Sequence, residues 1–451
     1  MKNFLNKVSE KIDQLKMNPP LVLVIGFALL ILCGGLLLNL SVVTKSGQSI
    51  GFINALFTAG SASCVTGLVV VNTANYWNLA GQIIILILIQ IGGLGIMTLA
   101  TMFPLILGKR IGLQSRQILK EQMNIDTFSG IVRLLKYLIK FTFIAEGIGV
   151  VLLATRFIPA FGWLKGIWYS VFQSISAFCN AGFDNLGDSI LPWRHDPLVN
   201  FTIMGLVVIG GLGFIVTQEL LRKRKNKTLS LHSKLVLTIT GLLIFFGALF
   251  FFILESSNPE TLATESIPTQ IGQSFFQSVI ARTAGFYSAP ISGLRDASAF
   301  LLILLMFVGG SPGSTAGGLK TTTFGVLVLS TISTIKGENE PVVFNKHIGL
   351  KNIRKALALV VVGLLLVISV SFLLTVTEDA KFIDLLFETV SAYGTVGLSK
   401  GITQDLTSFG KIIIMLTMYA GRVGPLTLGF AISNRMRPSK LRYPEANVLI
   451  G

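Results

Sequence analysis

The chain has 451 residues, of which 52% are hydrophobic and 13% charged, about half the charged share of a soluble domain. Lysine and arginine number 37 against 21 acids, a formal net charge of +16. This composition excludes an ordinary soluble enzyme, and three cysteines without a C-x-x-C pair exclude a disulfide or zinc framework.

In chain order, charge-free apolar stretches recur at about the 20 residues that a bilayer span requires. The clearest are residues 21–40, 79–107, 235–254 and 356–377. The first is too long for a signal peptide and lacks a small-residue cleavage site, so it is expected to stay as a span. Basic residues cluster at Lys2, Lys7, Lys11 and Lys16, and again in 109–140, 222–227, 336–355 and 435–442. Acids gather in the alternate connections, at Asp184, Asp188, Asp196, Glu255, Glu260, Glu265, Glu378 and Asp379. This alternation is the positive-inside pattern. It puts both termini in the cytoplasm of a multi-pass plasma-membrane protein, and it accounts for the charge without a nucleic-acid partner.

Four short pieces repeat: "FTAGSASCVTGL" from Phe57, "FQSISAFCNAGF" from Phe172, "FFQSVIARTAGF" from Phe275 and "FETVSAYGTVGL" from Phe387. In each a Phe precedes a Gly by ten residues, at Gly67, Gly182, Gly285 and Gly397, and each piece is flanked by apolar spans. A second echo follows as "IGGLG" at Ile91 and Ile209, "VGGSPG" at Val308 and "AGRVG" at Ala420. One such glycine pair would only signal close helix packing. Both motifs at matched spacing in four places imply four copies of span, short re-entrant piece and span. Two spans return the chain to its starting side, so the copies share one orientation and are related about the membrane normal. The expected fold is all-α and polytopic: four parallel span–pore helix–span repeats, eight spans, around a central pore with pseudo-fourfold symmetry. The expected segments are a cytoplasmic N-terminus 1–17, repeats 18–108, 109–221, 222–335 and 336–434, the third with a broken second span, and a cytoplasmic tail 435–451.

A dehydrated cation needs oxygen ligands, and a ring of backbone carbonyls supplies them. Glycine tolerates the backbone turn involved, and the negative C-terminal end of a short helix favours a cation. The candidate filter is Val65, Thr66 and Gly67; Asn180, Ala181 and Gly182; Thr283, Ala284 and Gly285; and Thr395, Val396 and Gly397. Three residues before each glycine stand Cys64, Cys179, Arg282 and Gly394, whose diversity places them behind the filter; Arg282 is expected to pair with an acid near the outer mouth.

"GGSPGSTAGGLKTT" (309–322) nearly spells a phosphate-binding loop, but Leu319 stands where that motif needs lysine, and no βα unit surrounds it. Apolar half-spans flank it instead. Broken backbone at membrane depth is tolerated only where protein buries it or it lines a wet cavity. The stretch is therefore expected to be a gate beneath the third filter, formed by Gly309, Gly310, Ser311, Gly313, Ser314, Thr315, Gly317, Gly318 and Lys320. The fourth repeat carries Arg422 where the others have a second glycine. The loop's backbone and hydroxyls are expected to meet it. Glu146, also intramembrane, has an open role: a place in a proton or ion path, a basic partner, or a position near a wet boundary.

These motifs resemble the Trk/Ktr/HKT superfamily of potassium transporters over nearly the whole chain, and most of all the KtrB group of Ktr membrane subunits. The resemblance rests on "CVTGLVV" (64–70), "QIGGLGIMT" (90–98), "CNAGFDN" (179–185), "ARTAGF" (281–286), "GGSPGSTAGGLKTTT" (309–323), "GTVGL" (394–398) and "GRVGPLTL" (421–428). It implies potassium uptake without enzymatic chemistry, and a potassium preference from glycine at all four filter positions. It also implies a gating role for Arg422, a homodimer in the lipid bilayer with one pore per protomer, and a KtrA-like cytosolic ring that alone carries nucleotide. The chain itself would need no cofactor; potassium is the transported ion and sodium an expected activator. The competing expectation is a coupled cation symporter.

Overall fold

Four times along the chain a long apolar helix of 20 to 31 residues is followed by two helices of 12 to 17 residues. The computed structural model describes residues 19–96, 98, 113–122, 131–222, 228–338 and 340–432. The expected cytoplasmic segments 1–17 and 435–451 lie outside the described residues, as do residues 109–112 and 123–130 of the basic stretch 109–140.

The first group is α1 (Pro19–Leu38), α2 (Phe52–Cys64) and α3 (Leu79–Leu94). After α4 (Leu113–Gln122) come α5 (Ile131–Phe161), α6 (Trp163–Cys179) and α7 (Pro197–Gly211), continued by α8 (Phe214–Arg222). The third group is α9 (Leu231–Glu255), α10 (Ile267–Ile280), α11 (Asp296–Phe307) and α12 (Thr321–Ile335). A small hairpin, β1 (Val342–Val343) with β2 (Lys346–His347), leads to α13 (Leu350–Thr377), α14 (Phe382–Gly394), α15 (Ser408–Val423) and α16 (Pro425–Ile432).

Among the described residues four helices, α1, α5, α9 and α13, are long and apolar enough to cross a membrane, and the bent pair α7–α8 could make a fifth span. Only 22–33% of their apolar windows is buried in the protein. Phe143, Ile148, Phe245, Leu365 and Phe372 point outward, a surface suited to lipid and costly in water. The short helices reverse this pattern. Ser61 and Ser63 on α2, Gln173 and Ser176 on α6, Gln277 and Ser278 on α10, and Glu388 and Ser391 on α14 are all buried. Buried polar groups are costly without internal partners. Ser61, Ser176, Ser391, Gln173 and Glu388 find theirs in the segments that follow the short helices, while the Ser63 hydroxyl and the Gln277 amide have none among the described residues.

Each long helix packs along the short helix that follows it, and each third helix packs on the next group's short helix: α3 on α6, α7 on α10, α11 on α14, and α15 back on α2. The contacts thus close on themselves around the short helices. The third helices also break. α3 ends at Leu94 with Gly95 at φ 87, rather than running to residue 107 as its apolar stretch suggested. Residues 99–107 lie outside the described residues. α7 and α8 meet at 104° beside Gly213 (φ 92), and α15 ends at Gly424 (φ 92). The break was expected in the third group alone. It recurs because the last glycine of each "GGLG", "GGSPG" and "GRVG" echo, Gly95, Gly213, Gly313 and Gly424, has positive φ, where a helix cannot continue.

Candidate functional site

The short helices α2, α6 and α14 end in a common way. Val65, Asn180 and Thr395 each take the left-handed conformation, with φ of 58°, 59° and 51°. For β-branched valine and threonine this is a true outlier. Paired cap bonds hold it: the N–H groups of Thr66, Ala181 and Val396 donate to the carbonyls of Ser61, Ser176 and Ser391, each at 2.8 Å. The same three serines also fasten the following strand. Ser61 Oγ accepts from Gly67 N–H and Ser391 Oγ from Gly397 N–H, both at 3.1 Å, while Ser176 Oγ donates to the Phe183 carbonyl at 2.7 Å. The sequence reading passed over these serines, although all three sit six residues before their glycine. The third strand differs, with Val279 at that place and Thr283 at φ 80.

The chain leaves these ends as four strands whose glycines meet. Gly67, Gly182, Gly285 and Gly397 have φ of 94°, 68°, 69° and 91°. A β-carbon on Gly67 would stand 2.9 Å from the Gly182 Cα, and one on Gly182 would stand 2.8 Å from the Gly285 Cα. On Gly285 it would meet the Val396 carbonyl oxygen at 2.6 Å, and on Gly397 the Gly67 Cα at 2.9 Å. The four sequence-predicted glycines therefore form a closed ring with no room for a methyl group. They face a vestibule of about 140 Å³.

Two carboxyl groups, neither singled out from sequence, organise that vestibule. Asp184 accepts the N–H groups of Leu186 (2.7 Å), Gly187 (2.8 Å) and Ser189 (2.8 Å) and the Gln173 amide at 2.6 Å. Burial pushes its pKa above the ordinary aspartate value, and the backbone donors oppose that rise. Glu388 accepts hydroxyls from Ser399 (2.8 Å) and Thr403. Each set of bonds ties a short helix to the loop beyond the strand that follows it.

Beneath the ring runs the glycine-rich loop between α11 and α12. Its backbone is stitched to the α7–α8 break: Ser311 N–H donates to Gly211 (2.9 Å), Thr315 N–H to Gly210 (3.2 Å), and Phe214 N–H to Gly313 (2.9 Å). Its far end lies under the fourth strand, where a β-carbon on Gly317 would stand 2.9 Å from the Thr395 methyl and one on Gly318 3.1 Å from the Gly394 Cα. Lys320 Nζ folds back on the Ala316 carbonyl at 2.8 Å. Arg422 donates to the carbonyls of Thr315, Gly92 and Gly93, joining the loop to α3. The loop meets Arg422 through its backbone alone. The hydroxyls expected there are engaged elsewhere, Ser311 with Thr321, Ser314 with the Ser311 carbonyl and Thr315 with the Phe178 carbonyl.

Cys64 and Cys179 are buried behind the strands, with Cys179 Sγ 3.6 Å from the Gln90 amide oxygen. One expectation is corrected: Arg282 turns inward and donates to the Gly309 carbonyl at 3.3 Å rather than pairing with an acid of the outer mouth. Of the alternatives open for Glu146, pairing with a basic group falls away, since it accepts from the neutral Gln90 amide at 3.0 Å. No cluster of metal-ligating side chains occurs among the described residues.

A family model described as TrkH: Cation transport protein matches residues 10–440. The potassium/sodium uptake protein NtpJ of Enterococcus hirae is 42% identical over 443 residues, covering 97% of this chain and 98% of its own. Ktr system potassium uptake protein B of Bacillus subtilis is 44% identical over 440 residues, covering 98% of both chains. The crystal structure of the potassium transporter TrkH from Vibrio parahaemolyticus superposes with a TM-score of 0.70 at 18% identity, covering 92% of this chain and 84% of that one. At that identity the superposition speaks for the fold alone.

Proposed function

The chain belongs to the TrkH family of cation transport proteins, and we propose that it is the ion-conducting membrane subunit of a Ktr-type potassium uptake system. The observation that carries this reading is the closed ring of four positive-φ glycines at the ends of four short helices. Carbonyls of 65–67, 180–182, 283–285 and 395–397 replace the water of an entering potassium ion, and the negative helix ends lower its energy there. One glycine per strand limits the number of carbonyl layers, so discrimination against sodium is moderate. Asp184, which lines the vestibule, favours cations there.

The architecture that serves this function is four like-oriented repeats, 18–108, 109–221, 222–335 and 336–434, with eight spans in pseudo-fourfold order around the pore. The third helices complete the spans despite their breaks. Both termini and the basic connections face the cytoplasm, where a nucleotide-binding ring docks and controls opening; the subunit works as a homodimer in the cell membrane. The relative named as a potassium/sodium uptake protein supports a part for sodium.

The glycine-rich loop is the gate. In the closed arrangement Arg422 holds it by the Thr315 carbonyl and keeps a positive charge below the filter. Opening breaks that bond and frees backbone carbonyls for the passing ion. The reading is tested by potassium-limited growth of an uptake-deficient host, with and without a regulatory partner. Wild-type chain with its partner restores growth; failure to do so at confirmed membrane expression removes the assignment.

A further inference from the structure

The four filter strands are not supported alike. In the first, second and fourth, a serine six residues before the glycine fastens the strand. In the same three, the leading glycine of the following helix pair lies against the short helix's end: a β-carbon on Gly92, Gly210 or Gly421 would collide with the carbonyl of Ser63, Phe178 or Tyr393. These glycine supports come from the helices α3, α7 and α15, although the loop also touches the second strand's helix end, through Thr315 Oγ1 on the Phe178 carbonyl, and the fourth strand, through Gly317 beside Thr395.

The third strand lacks both. Val279 has no hydroxyl to offer, and Gly309 lies against the Gly317 carbonyl of the loop and 3.2 Å, by its β-carbon position, from the Thr283 methyl. In their place stands Arg282, 7% exposed, whose Nη2 donates to the Gly309 carbonyl and whose Nε has no hydrogen-bond partner. The residue next to the strand thus reaches to the first residue of the loop. A buried guanidinium with so few partners is costly, and its position carries information only if the Gly309 carbonyl stays where the ordered loop holds it.

We propose that the third filter strand takes its conducting shape from the glycine-rich loop, with Arg282 as the positioning residue that couples the two. When the loop leaves, Gly309 loses the Gly317 carbonyl beneath it, Arg282 loses its acceptor, and residues 283–285 relax. Coupling is reciprocal, so ion occupancy of the ring also steadies the closed loop. This rests on the reading of the ring as filter and the loop as gate.

The test is the ratio of potassium to sodium uptake by the full chain with its partner in an uptake-deficient host. Arg282→Met should lower the ratio at least about fivefold, the lower bound of ordinary coupling between sites. Val279→Ser, which installs the missing hydroxyl, should recover most of that loss in the double variant. Deletion of residues 311–317 should lower the ratio by itself, and Arg282→Met should add nothing to it. The deletion leaves Arg282 intact, so it decides the matter even if Arg282→Met does not accumulate. Gly67→Ser, on a strand that does not depend on the loop, is the control. If it lowers the ratio while the Arg282 and loop variants do not, or if their effects add independently, the coupling is wrong and the filter stands. If Gly67→Ser also leaves the ratio unchanged, the filter reading itself falls and the proposal with it.

Discussion

Arg422→Ala removes the guanidinium that joins the loop to α3. Of its three acceptors, Gly92 and Gly93 belong to α3 and only Thr315 belongs to the loop. The Thr315 bond is therefore the one that must break when the loop moves. A hydrogen bond from a charged donor contributes about 1.5–3 kcal/mol, and about 1.4 kcal/mol is a tenfold change in an equilibrium. The closed-to-open ratio should fall between about tenfold and a hundredfold, with loss of the positive charge lowering the barrier further. Potassium efflux from proteoliposomes holding the purified chain without a partner reads this directly. Arg422→Lys should fall between wild type and alanine, because one ammonium lacks the planar fork that spans the loop and α3 together. Efflux from Arg422→Ala equal to or below wild type, at equal reconstituted amount, would mean that the Thr315 bond does not hold the loop closed.

Three other outcomes follow from the same geometry. Gly182→Ala places a methyl 2.8 Å from the Gly285 Cα at φ 68; strain of about 1–3 kcal/mol should abolish selective uptake while leaving the helical circular-dichroism signal intact. Ser391→Ala deprives the Gly397 N–H of its acceptor, a loss of about 1 kcal/mol, and should reduce the potassium-to-sodium uptake ratio less than Gly182→Ala does. Asp184 has a raised pKa in the folded chain, so the folded state holds its proton when the unfolded state has released it. Its contribution to stability therefore falls as pH rises from the ordinary value of 3.8 through the raised folded value. The melting temperature in detergent should show this decline, and Asp184→Asn should flatten it.

Much of the ring was legible in sequence because its demand is local. Positive φ and contact with a neighbouring backbone admit only glycine, and the ten-residue spacing from a buried phenylalanine marks Phe57, Phe172 and Phe387 on their short helices. The loop was legible for the same reason. The extra breaks at Gly95, Gly213 and Gly424 were written in the same echo, yet continuous hydropathy masks a kink. The direction of Arg282 was not readable, since its acceptor lies 27 residues away and apolar residues flank both ends. Glu388 draws its meaning from partners 11 and 15 residues distant, whereas Asp184 takes three of its four donors from backbone two to five residues on and only Gln173 from further away. Acids in polar connections otherwise look alike. Ser61, Ser176 and Ser391 could have been found by extending the repeat alignment six residues upstream of each glycine.

Passage of potassium through the glycine ring can be read by electrical recording from the reconstituted chain with its partner. Wild-type current should reverse near the potassium equilibrium potential under a potassium gradient opposed by sodium, and Gly67→Ser should move the reversal toward that of sodium. A reversal that follows a fixed ratio of two coupled ions, or one that Gly67→Ser leaves in place, would contradict it.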